Sequence, residues 1–220
     1  MTFLRPPADD SDGIALPSPE EVETALSQAP DDLTWDWVLP RLIPLFERGY
    51  TDGITGDPLV NSVSHLGIGI GYGIDFGPVF GRVTQGMAER WEASVEQIEH
   101  AAFSRLADVS ATVGRADLQS VVHRGHFFRA LGRPGGWASS IVLAGESELA
   151  RIFGTGDAIF STPARSSLLA FAPATPARVV AEVTFQLENG DPHPLGLDPF
   201  VMEDGVLHWQ GLDTELDGVI

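Results

Sequence analysis

The chain has 220 residues, 31 of them acidic and 13 basic, giving a formal charge of -18, and it has no cysteine. Every basic residue is arginine, so Schiff-base lysines, the phosphate-loop lysine, thiol nucleophiles, disulfides and thiolate metal sites are excluded. The acidity opposes nucleic acid and anionic bilayers. The amino terminus has no signal-peptide pattern and no run of ~18 apolar residues occurs, so the expectation is a soluble cytoplasmic protein.

Residues 1–16, rich in proline and aspartate, are expected to form a mobile tail. Ser18, Pro19 and Glu21 make a capping box that opens a helix ending near Pro30. Residues 17–52 read as an N-terminal helical segment, although Pro40 and Pro44 interrupt its apolar stretch LTWDWVLPRLIPLFERG. Residues 53–220 read as an α+β core, a single domain with a mostly antiparallel sheet packed by helices. Val60 to Phe76 is β and includes GIGIGYGIDFG, in which Gly67, Gly69, Gly71 and Gly73 leave one strand face bare. The segment from Val95 to Ala107, with its small Ala101 and Ala102, is expected to pack on that face.

Val83 to Trp91 reads as helix, and the capping box of Ser94 and Gln97 opens another that runs to about Ala107. Val121 to Leu131 is expected as strand, Trp137 to Phe153 as mostly helix, Ala158 to Ser161 as strand and Arg165 to Phe171 as helix. Residues 176–188 alternate as a strand does, whereas Thr175-Pro176 and Asn189-Gly190 are helix start and stop signals that favour helix. Asp204-Gly205 closes a hairpin of Phe200–Met202 with Val206–Trp209.

Three blocks in this order resemble the YtpQ-like family, bacterial proteins of unknown function. They are Tyr72 to Gly77 (YGIDFG) followed by Trp91 and Ser94 to Ile98; Ala138-Ser139-Ser140 with Ile141 and Leu143; and Gly156-Asp157 followed by Pro163, Arg165, Leu168 and Leu169. His193-Pro194-Leu195 is a weaker echo. The resemblance spans residues 60 to 205 and implies an α+β domain without implying an activity. Where the family pattern places an acid after the arginine of the third block, this chain has Ser166.

Candidate chemistry is sparse. His123 and His126 lie three apart, but in a strand they face opposite ways, with no nearby acid, so no metal site is expected. Asp75 ends the glycine strand as a general base or as an Asx cap of the following turn. Arg165 is either a recognition fork for a carboxylate or phosphate or half of a buried ion pair with Asp157 or Asp75, whose loss costs about 3 kcal/mol. Gly69 and Gly71 leave room for a flat ligand. No serine sits in a nucleophile elbow, His65 reads as a satisfied polar group, and the glycine run opens no dinucleotide-binding helix.

The leading reading is a non-catalytic protein, without cofactor, that binds a protein partner or small ligand. The alternatives are a metal-independent or weakly metal-dependent hydrolase using Asp75, His126 and Arg165, and a structural subunit that docks through the Trp/Pro-rich segment 33 to 48.

Overall fold

The computed structural model describes residues 18–47, 59–63, 69–133, 136–191 and 194–209. The expected tail 1–16, His65, Gly67 and His193 lie outside them. The N-terminal helix α1 (Pro19–Ser27) begins with the expected box: Ser18 N–H donates to Glu21 at 2.7 Å, and Glu21 N–H donates to Ser18 Oγ at 3.2 Å. A single turn, α2 (Trp35–Val38), passes through a 3-10 turn (Leu39–Arg41) into strand β1 (Leu42–Glu47). The segment 17–52 is therefore not helical throughout. Pro44 sits inside β1, which tolerates the missing donor because β1 is the edge of its sheet.

The first sheet is built around β3 (Gly69–Asp75). It has β1 on one side; β2 (Val60–Val63) and β4 (Phe80–Arg82) pair with successive halves of the other side, all antiparallel. The second sheet has six antiparallel strands in the order β10-β9-β7-β8-β6-β5. These are β5 (Leu118–His123), β6 (His126–Gly132), β7 (Ala158–Ser161), β8 (Ser167–Phe171), β9 (Phe200–Glu203) and β10 (Val206–Trp209). Helices α3 (Gln85–Trp91) and α4 (Val95–Thr112) follow the first sheet, α5 (Glu146–Phe153) precedes β7, and α6 (Ala177–Glu188) joins β8 to β9. The fold is α+β with antiparallel sheets.

Two local expectations change, and the segment left between strand and helix takes the favoured helical form. Ser167–Phe171 is a strand rather than a helix, buried along its whole length in the middle of the second sheet. A run of apolar residues buried on both faces has no alternation to reveal it. Val121 to Leu131 folds back at Arg124-Gly125, both with positive φ, so it is a hairpin and not one strand. Residues 177–188 are helical, with Val179, Val180, Val183 and Thr184 buried and Phe185 left 63% exposed.

Packing assigns each helix a face. Val180 and Val183 of α6 pack on Phe128, Leu169 and Phe171 of the second sheet. Helix α4 runs along β1: Ile98 and Ala102 pack with Ile70, Tyr72 and Ile74, and Leu106 and Val109 pack with Ile43 and Leu45. The alanines of α4 thus serve the apolar side of β3, not its bare side. Phe46 of β1 reaches the other sheet, where its ring stacks on Phe200 at 5.7 Å.

Candidate functional site

A cleft opens where the end of β3 meets α1, α2 and α4. Its volume is about 460 Å³; Arg41, Asp75 and Arg105 are its charged lining and Gln28 a neutral polar one, beside Trp37, Phe76 and Pro40. Asp75 stands at the end of β3, where its Oδ1 accepts the Gly77 N–H at 2.7 Å, the Asx cap of the turn. Burial pushes its carboxyl above the usual range, against the opposing pull of the Gly77 bond and of the Arg105 and Arg41 charges. Arg41 is fixed twice over: Nη1 donates to the Trp37 carbonyl at 2.7 Å, and its guanidinium lies 4.0 Å above the Trp37 ring. Trp37 in turn sits 5.8 Å from Phe76. Arg105 comes from α4, and its Nε is buried with no hydrogen-bond acceptor among the described residues.

Two positive charges and one negative therefore face this cleft, and one donor is unspent. A second cavity, of about 510 Å³, adjoins it; Pro40 and Arg105 line both. Trp35, Leu39 and Ala101 give the second cavity apolar walls, with His100, Ser104 and Asp108 of α4 along its side.

The other charged cluster lies at the opposite end of β3. Glu47 is buried opposite Gly69, and its carboxylate meets Arg82 at 3.0 Å and Arg165 at 3.4 Å. The in-chain partner of Arg165 is thus Glu47, not Asp157 or Asp75. Burial, with the neighbouring Arg82 charge, pulls the Arg165 guanidinium below its usual value, while Glu47 pulls it back. The Glu47 side chain also fills the space above Gly71, where a Cβ would lie 2.6 Å from Glu47 Cγ. Leu45 and Phe80 do the same at Gly73. At Gly71 and Gly73 the bare face is therefore filled by side chains of the flanking strands, and α4 meets it only through Leu106 and Val109 packed on Ile43 and Leu45, not through Ala101 and Ala102.

The three residues singled out for catalysis are not brought together. Arg165 is engaged with Glu47 beside Arg82, whereas Asp75 caps the Gly77 turn and faces Arg105 and Arg41. His126 opens β6, whose far end, Gly132, pairs with Ser167 next to Arg165. His123 and His126 pair directly across the hairpin turn, hence on one face, correcting the expectation of opposite faces. His123 is buried and lies 3.6 Å from Glu182, which also pairs with Arg124 at 2.7 Å. No group of three His, Asp or Glu side chains among the described residues is placed to hold a metal ion.

Of the cleft residues, the sequence reading found Asp75 and missed Arg41 and Arg105. Arg105 carried a signal: it falls three and four residues after Ala102 and Ala101, at the margin of the buried stripe of α4, where a charge needs a reason. Comparison with protein-family models, curated proteins and solved structures finds no match to this chain.

Proposed function

We propose that the chain is a non-catalytic binding protein that holds a small organic anion between Arg41 and Arg105. The observation that carries this reading is the surplus of positive charge in one cleft of a chain with net charge -18, together with the buried Arg105 Nε that has no acceptor. A buried donor left unpaired is costly, and a ligand oxygen removes that cost. The dispersal of Asp75, His126 and Arg165 argues for binding rather than hydrolysis. Membership of the YtpQ-like family belongs to the same reading: its YGIDFG block supplies Asp75, Phe76 and Gly77 to the cleft. A cytoplasmic location agrees with it, and no helix among the described residues is long and apolar enough to cross a membrane.

The test is a titration of the 15N-labelled protein with acetate and with inorganic phosphate, following the indole and guanidinium N–H signals. Saturable shifts at Trp37 and Arg105, with an affinity read at Trp37 that Arg105→Gln weakens by about tenfold, the scale of one charge-assisted hydrogen bond, support the reading. No saturable shift with either anion refutes it.

A further inference from the structure

Resting on the anion site just described, we infer that the ligand is an amphipathic monocarboxylate, its carboxylate at Arg105 and its apolar body in the adjoining cavity along α4. Three observations on the structure meet in this assignment. The first is charge. Arg41 and Arg105 are opposed by Asp75 alone, so the cleft carries one net positive charge and a monoanion neutralises it. A dianion would leave an excess negative charge in a partly buried place beside a carboxylate that burial already disfavours.

The second is the contrast between the two cavities. They meet at Pro40 and Arg105, and beyond that junction the walls are Trp35, Leu39 and Ala101. Their volumes, about 460 and 510 Å³, suit a ligand with a polar head and a body of comparable size. Asp108 is solvent-exposed at the side of this second cavity, where water screens its charge from a carboxylate at Arg105.

The third is Leu39, which remains 40% exposed although it borders a concave apolar surface. A ligand body lying between Leu39, Trp35 and the Ala101 face of α4 would cover it. Trp35 is held in place from behind, its ring 5.9 Å from Trp91, so this wall is rigid before a ligand arrives.

The test compares acetate with 4-phenylbutyrate in 15N titrations, which share a carboxylate and differ in the apolar body. 4-Phenylbutyrate should bind at least about 30-fold more tightly, from the apolar surface it removes from water. It should shift the Trp35 indole signal as well as that of Trp37, and acetate should shift Trp37 alone. Ser104→Trp places a ring in the second cavity from an exposed position of α4, so it should bring the two affinities within about 3-fold by displacing the apolar body of 4-phenylbutyrate. Equal affinities of the two carboxylates in the unaltered protein, or tighter binding of phosphate than of either, overturn this inference and leave the anion site standing. Absence of binding by all three anions overturns both.

Discussion

Adding one methyl group at Gly71 tests how the bare face of β3 is filled. Gly71 is not in the left-handed region, so alanine fits the backbone and by itself would stabilise the strand by about 0.5–1 kcal/mol. Its Cβ, however, would stand 2.6 Å from Glu47 Cγ and 2.8 Å from Glu47 Oε1. Glu47 cannot swing aside cheaply, because Arg82 and Arg165 both hold its carboxylate. Overfilling of this kind costs about 1–3 kcal/mol, so Gly71→Ala should lose net stability in urea denaturation with an unchanged m-value. Glu47→Ala removes the obstruction, and in that background Gly71→Ala should be neutral or stabilising by up to about 1 kcal/mol. The coupling between the two substitutions is then about 2 kcal/mol. Equal effects of Gly71→Ala in both backgrounds, within about 0.5 kcal/mol, would refute the account of this face.

Three further outcomes follow from the charged contacts. Arg165→Met should cost only about 1–2 kcal/mol in urea denaturation, less than a lone pair would lose, because Arg82 stays on Glu47; adding Arg82→Met should raise the total to about 3–5 kcal/mol, and a double variant no worse than the single would exclude the three-way cluster. Asp75→Asn keeps the acceptor for Gly77 but abolishes the carboxyl that burial pushes up from its ordinary 3.8. A raised folded value gives stability that is full below the unfolded value and lost as pH rises through the folded one, so Asp75→Asn should gain on the parent as pH rises above the ordinary carboxyl value of 3.8; a difference flat with pH would contradict this. Arg151 donates to the Ser110 and Val113 carbonyls at 2.7 and 2.8 Å and pairs with Glu148, so Arg151→Lys should lower thermal stability by about 1–2 kcal/mol, the loss of a fork that one ammonium cannot replace.

Elements whose ends carry local chemistry were legible in the chain. Ser18 with Glu21, Ser94 with Gln97, and Asp204-Gly205 each fix a backbone through bonds made within a few residues, and the corresponding helices and hairpin are present. β1 and β8 were not legible. LIPLFE contains a proline that only its edge position excuses, and SLLAF is buried on both faces, so neither shows the alternation of a half-buried strand. The cleft was half visible for a similar reason. Asp75 sits in a recognisable turn, whereas Arg41 and Arg105 acquire a purpose only when a 3-10 turn and a helix distant from it in the chain converge on the cleft. Glu47 stayed hidden because its partners, Arg82 and Arg165, come from distant parts of the chain.

The stacking of Phe46 on Phe200 also bears on the order in which the chain can assemble. The first sheet's strands, between Leu42 and Arg82, are available early in synthesis, but the partner of Phe46 is 154 residues later (200 minus 46). Until β9 has left the ribosome, that end of β1 presents an uncovered aromatic surface, and the junction of the two sheets cannot close. Contacts of such long separation slow folding, because the loop-closure entropy is spent before the contact rewards it. At about 5–20 residues per second, the exposed interval lasts on the order of ten seconds, a window in which a nascent chain is open to chaperone capture or to pairing with its neighbour on a polysome.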